Sequence, residues 1–116
     1  MRIENYSTPS GREPVRDFIQ ELPEESRFEV IALLRRLESG EVLTMPQSRS
    51  LSSVAHGLYE LRVRDAQGQV RVFYYTKLHG SIFLVHAVRK KSRVIADKDR
   101  SLIIKRIQEI NLKYRG

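Results

Sequence analysis

No cysteine occurs among the 116 residues. Disulfide staples, thiolate zinc sites and thiol nucleophiles are therefore excluded, and the composition suits a reducing compartment. Long apolar runs are missing too. The opening Met1-Arg2-Ile3-Glu4-Asn5-Tyr6 lacks the apolar core of a signal peptide, and no segment approaches transmembrane length. A cytoplasmic protein with no membrane partner is expected. There are no internal repeats, no linker, no glycine-rich loop of the phosphate-cradling kind, and no serine with an arguable His/Asp partner. His56, His79 and His86 have no metal-ligand spacing and no carboxylate pair beside them, so neither a metal nor a cofactor is expected.

Acid is scarce where base is abundant. Residues 1–45 carry 6 Lys/Arg against 9 Asp/Glu, a net of −3, whereas residues 46–116 carry 15 against 5, a net of +10. Such a split suggests one side built to face a polyanion rather than general stickiness. Hydrophobic content of 41% with 30% charged residues is ordinary for a globular chain, and the length suits one domain spanning residues 1–116.

The element order reads β-α-α-β-β-β-α. Arg2 to Tyr6 is a short strand. Ser10-Gly11-Arg12-Glu13 has capping-box spacing, ahead of a helix from Glu13 to Leu22 that buries Val15, Phe18, Ile19 and Leu22, with Pro14 in its first turn. Pro23 suits the first position of a second helix, with Glu24 and Glu25 at its positive end. Its stripe is Phe28, Ile31, Leu34 and Leu37 with Val30 and Leu33, and Gly40 closes it. A serine-rich connector runs from Glu41 to Gly57. Strands follow over Leu58–Arg64, Val70–Thr76 and Ser81–Val88, joined by glycine-containing loops at Asp65–Gln69 and Lys77–Gly80. Asp97 can cap a terminal helix carrying Ile103, Ile107, Ile110 and Tyr114. The fold class is α+β: a small antiparallel sheet packed against an N-terminal helix pair and a C-terminal helix.

Period-two alternation places Tyr59, Leu61 and Val63 on one face and Glu60, Arg62 and Arg64 on the other. Arg71 lies with Phe73 and Tyr75, opposite Val72 and Tyr74. Helices need one face, so the arginine-bearing face is expected to line a cleft. The last strand then runs into Arg89, Lys90, Lys91 and Arg93, cations that repel one another unless something anionic sits among them. Catalytic candidates are Arg62, Arg71, Lys90 and Lys91. RNA-binding candidates are Arg64, Tyr75, Arg89 and Arg93. The plainer readings are a cross-strand pairing of Arg62 with Glu60 or Asp65, a surface position on an edge strand for Arg71, and a solvated turn for Lys90-Lys91. His86 reads as a hydrogen-bonded core histidine alternating with Leu84 and Val88, and His56 is the histidine best placed to be a base.

Gly57-Leu58-Tyr59-Glu60-Leu61-Arg62, then Arg71-Val72-Phe73-Tyr74-Tyr75, then Leu84-Val85-His86-Ala87-Val88-Arg89-Lys90-Lys91 resembles the HigB-like, phage-derived killing proteins within the RelE/ParE toxin superfamily. The resemblance covers nearly the whole chain. It implies a RelE-like fold and the toxin of a type II toxin–antitoxin pair, an endoribonuclease that cuts messenger RNA, usually on the ribosome. Its implied partner is a HigA-like helix-turn-helix antitoxin. By position, Arg71 matches the arginine opening the central strand, Lys90 and Lys91 the basic pair after the last strand, and Arg62 the basic residue of the first long strand. One departure stands out: the tyrosine that RelE uses to stack a base has no equivalent in Ile95-Ala96-Asp97. Stacking would then fall to Tyr75 or Phe73, or activity would be weaker or altered.

The implied chemistry needs no metal. The RNA 2′-hydroxyl attacks the adjacent phosphate; cations stabilise the phosphorane and a crowded lysine exchanges a proton. Arg71 and Lys91 would stabilise phosphate or protonate the leaving group, Arg62 would orient the scissile phosphate, and Lys90 would be stabiliser or base. The alternatives are a ParE-like gyrase poison without nuclease activity, and an inactive RNA-binding relative.

Overall fold

In the computed structural model, which describes residues 1–77, 80–90, 92 and 94–114, β1 (Arg2–Asn5) leads into α1 (Pro14–Gln20) and α2 (Glu24–Glu38). Four further strands follow: β2 (Ser48–Ser50), β3 (Leu58–Asp65), β4 (Gly68–Tyr75) and β5 (Ser81–Lys90). The last element is α3 (Asp97–Lys113). The expected α+β class is found, with two additions. The sheet has five strands in the order β1-β5-β4-β3-β2, and β1 runs parallel to β5 while the other pairs are antiparallel. β2 lies inside the connector. Three residues among serines carry no alternation to betray them, and pairing with β3 alone makes them a strand.

Local chemistry explains the helix starts, though not in the expected detail. Pro14 takes the first position of α1, where a missing N–H costs nothing. The capping box does not form: the Ser10 hydroxyl meets that of Thr8 and the Glu13 carboxylate reaches Arg16. Pro23 is the residue before α2 rather than its first, and Ala96, not Asp97, holds that place for α3. Val30, Leu33 and Leu37 are the buried seam of α2, whereas Phe28 is 65% exposed, contrary to the stripe drawn for it. Gly40 ends that helix with φ of 92°, a conformation that favours glycine.

The largest correction concerns the second sheet face, which is not left open. One face carries Leu61, Val63, Val70, Val72, Tyr74, Ile82 and Leu84 against α1 and α2. The other carries Leu58, Phe73, Tyr75, Phe83 and Val85 against Ile103, Ile107 and Ile110 of α3. The terminal helix is amphipathic and has to bury its isoleucines somewhere, and the sheet's second face is the surface left to it. Only the end of that face bearing Arg62, Arg71 and Lys90 lies beyond the apolar seam.

β5 slips by one residue against β4. Tyr74 pairs with Leu84 but Phe73 with His86, so Val85 is the extra residue of a bulge. The slip puts Leu84 and Val85 on opposite sheet faces with their separate cores and gives His86 the α3 side. Strict alternation, which grouped His86 with Leu84, fails at this point.

Candidate functional site

The strand register brings the functional residues together. Arg62 of β3 faces Arg71 of β4, which faces Val88 of β5; one step along, Arg64, Gln69 and Lys90 form the next row. All these side chains lie on the α3 side of the sheet. Arg49 joins them from β2, opposite Glu60 of β3.

Glu60 is the centre of this end. It is 0% exposed, and three guanidinium groups surround it. Arg62 Nε and Arg49 Nη2 lie 3.5 and 3.7 Å from its Oε1, and Arg71 Nη1 lies 3.7 Å from its Oε2. These separations exceed the ~2.7–2.9 Å of a charge-assisted hydrogen bond. Neither Glu60 oxygen accepts a hydrogen bond, and the buried Nε atoms of Arg49 and Arg62 have no acceptor. Three cations around one anion leave a surplus of positive charge on a surface of low polarisability, where Coulomb attraction for an incoming anion is strongest.

Arg71 differs from its neighbours. It is 1% exposed, its Nη2 donates to the Ser92 carbonyl at 2.6 Å, and its Nε donates to Gln69 Oε1 at 3.3 Å. The backbone at Ser92 thus lies against it. Burial first, and then the cations of Arg62 and Arg49, lower its pKa, with Glu60 opposing them. Its place is beneath the site, not on an open cleft wall. Arg62, which also passes Met45 Sδ at 3.9 Å, and Arg49 are the guanidinium groups that reach the surface.

Beside them a second cluster joins β5 to α3. Asp99 Oδ1 lies 2.9 Å from His86 Nε2, and its Oδ2 lies 2.8 Å from Lys90 Nζ. Burial alone would raise the Asp99 carboxyl, but Lys90 and His86 bring it below its ordinary value. His86 is shifted down, chiefly by burial and against the pull of Asp99, so its ring is neutral near pH 7. An ionised Asp99 only accepts, which assigns the ring proton to Nε2 and the lone pair to Nδ1, 3.4 Å from Arg106 Nη1. With Phe73 stacked at 5.9 Å on its face, the ring has both nitrogens engaged and is not a base for this site. The expected core histidine is what the structure has, by different neighbours. His56 is exposed just ahead of β3, at the far end from Arg62 and Lys90.

Of the sequence candidates, Arg62, Arg64, Arg71 and Lys90 are brought to one end of one face. Lys91 and Arg93 lie outside the described residues. Arg89 points to the other face, where Nη1 meets Asp65 Oδ1 at 2.5 Å and Ser26 donates to Asp65 Oδ2 at 2.5 Å. That pairing also takes Asp65 away from Arg62. Tyr75 is buried under α3 with its hydroxyl on Asn111, and Phe73 is buried beside it, so neither offers a ring to a base. Three contributors escaped the sequence reading. Arg49 sits in a connector without period. Glu60 figured only as a pairing partner. Asp99 was hidden behind Asp97 as the apparent cap.

Among the described residues no helix is long and apolar enough to cross a membrane. The family model for the phage derived protein Gp49-like family (DUF891) matches residues 17–108, from α1 through most of α3. No curated protein matches the chain.

Proposed function

The chain belongs to the Gp49-like phage-derived family, a RelE/ParE-like toxin family, and from that premise we propose that it is the toxin of a type II toxin–antitoxin system that cuts messenger RNA. The observation that carries this reading is the set of three guanidinium groups converging on one buried carboxylate, with the Lys90 ammonium in the neighbouring row. Arg62 and Arg49 hold the scissile phosphate and stabilise its equatorial oxygens as charge develops there. Arg71, from below, keeps Glu60 in place, and Glu60 spaces the arginines. Lys90 lies on the same face two strands across and one row along from Arg62, and its flexible stem would carry the ammonium to the leaving side of the phosphate.

The 2′-oxygen forms a bond to phosphorus and gives its proton to solvent. The bond from phosphorus to the 5′-oxygen breaks, and Lys90 protonates that oxygen. The products are a 2′,3′-cyclic phosphate and a 5′-hydroxyl. A site lined by Arg49, Arg62, Arg64 and Lys90 repels divalent cations, so the reaction proceeds without one. With Tyr75 and Phe73 buried, the planar guanidinium faces of Arg49 and Arg62 are the surfaces on which a base can stack. The ribosome delivers the message in single-stranded form, and a HigA-like helix-turn-helix antitoxin silences the site, its carboxylates competing with phosphate for the same arginines.

Induction of the chain without a partner, with 5′ ends of cellular RNA mapped within minutes, tests the proposal. Cuts inside translated frames, with 5′-hydroxyl ends and undiminished cutting by purified protein in EDTA, are expected. Intact RNA with altered DNA supercoiling would instead identify a gyrase poison.

A further inference from the structure

Lys90 sits at the last position of β5 with its side chain on the site's face, where a four-carbon stem has many rotamers open to it. Its ammonium lies 2.8 Å from a nearly buried carboxylate on another element, an ion pair that favours one of them. That carboxylate, Asp99, is immobilised in turn. It is in the first turn of α3, where the helix dipole favours an anion, and His86 Nε2 donates to its other oxygen. The His86 ring is fixed by Phe73 and by Arg106, whose Nη1 also donates to the carbonyl of the bulge residue Val85 at 2.8 Å. Each member therefore holds the next, from the bulge through His86 and Asp99 to Lys90.

We propose that Asp99 is the positioning residue of the cleavage reaction: it aims the Lys90 ammonium at the leaving 5′-oxygen and holds it there. The proposal rests on the ribonuclease reading above. Among the described residues, the charged or titratable groups facing Lys90 are Asp99 from α3, His86 from β5, Arg71 from β4 and Arg64 from β3. Asp99 is the anion of that set. Without it, the four-carbon stem regains its rotamer freedom and the proton donor is no longer held at one place. In the step itself, bond formation from the 2′-oxygen to phosphorus and breakage of the bond to the 5′-oxygen are accompanied by proton transfer from Nζ to that oxygen. The neutral amine left beside Asp99 is the unfavourable member of the pair, so solvent quickly reprotonates it.

The test is the steady-state kinetics of cutting of a short single-stranded RNA by Asp99→Asn protein. The asparagine keeps the size of the side chain and an oxygen for His86 but removes the charge. At neutral pH, kcat should fall about tenfold with KM nearly unchanged. Asp99→Glu, which keeps the carboxylate, should recover part of the lost kcat. Adding Asp99→Asn to Lys90→Gln should cause no further loss, because the first acts through the second. A folded Asp99→Asn protein with wild-type kcat, or additive losses in the double variant, overturns the proposal. Should the asparagine variant fail to fold, NMR of the lysine ammonium groups in the unaltered protein decides. The Lys90 signal should exchange far more slowly than that of the exposed Lys105, and equal lability overturns the proposal. Wild-type protein that cuts no RNA would count against the ribonuclease reading instead, while the ammonium spectrum would still report on the Asp99–Lys90 contact.

Discussion

Arg71→Ala separates two views of the same residue. Read from strand alternation, Arg71 opens onto a cleft and its loss costs activity while leaving stability alone. In the structure it is 1% exposed and donates to Ser92 O at 2.6 Å and Gln69 Oε1 at 3.3 Å, with Glu60 Oε2 3.7 Å away. Breaking a buried ion pair by removing one partner costs about 3–5 kcal/mol. Glu60 keeps Arg49 and Arg62 beside it, which argues for the lower end. The short bond to Ser92 adds a contribution of about 1.5–3 kcal/mol of its own, partly overlapping the first. A net loss of about 3 kcal/mol follows, a substantial part of the ~5–15 kcal/mol that holds a typical domain together. For a chain of this length it corresponds to a drop of about 10 °C in Tm. Urea unfolding followed by circular dichroism measures it, with Arg71→Lys, which keeps the charge but not the planar fork, expected between the two. A midpoint for Arg71→Ala within about 0.5 kcal/mol of wild type would refute the buried role.

Arg49→Ala and Arg62→Ala should each weaken RNA cutting and flatten its salt dependence; the more exposed Arg49 should cost about 1 kcal/mol of stability or less and the more buried Arg62 more than that, as read from cutting assays and melts run side by side. Asp65 is held well below the usual carboxylate range, first by Arg89 and then by Ser26. Its stabilising contribution is therefore complete above about pH 4 and declines as the pH falls below that value. Arg89→Ala should blunt this acid sensitivity without altering RNA cutting, and a cutting defect as large as that of Arg62→Ala would place Arg89 at the site after all. His86, shifted down by burial, binds its proton more readily unfolded than folded. Stability from this group is complete above about pH 6.5 and lost as pH drops through that region, so His86→Gln should flatten the slope of Tm against pH between about 7 and 5. Melting curves for variant and wild type that stay parallel over that interval would refute it.

The extent to which the fold could be read from the chain followed how local each signal was. Three long strands and three helices were legible because their apolar periods are sustained over seven or more residues. Pro14 and Gly40 mark their positions for stereochemical reasons that operate within a turn. β2 was not legible, because three polar residues become a strand only by hydrogen bonding to β3. The face of His86 was not legible either, since a bulge is a property of a strand pair and alternation within one strand cannot register it.

The site divides along the same line. Composition and strand pattern by themselves determined that one end of the sheet is basic and that Arg62, Arg64 and Arg71 share a face, because side-chain direction in a strand is fixed by parity; the bulge in β5 is what brings Lys90 to that face. What only the tertiary structure decided is which of those cations is open. α3 covers Phe73 and Tyr75, the Ser92 carbonyl engages the buried Arg71, and Arg89 is paired with Asp65 on the opposite face. It also supplied the anions, since Glu60 becomes a hub and Asp99 an anchor only once β2, β4 and α3 are packed around them. A guanidinium can seek a carboxylate anywhere within its reach, and sequence distance places no limit on that search; the packing of the core does.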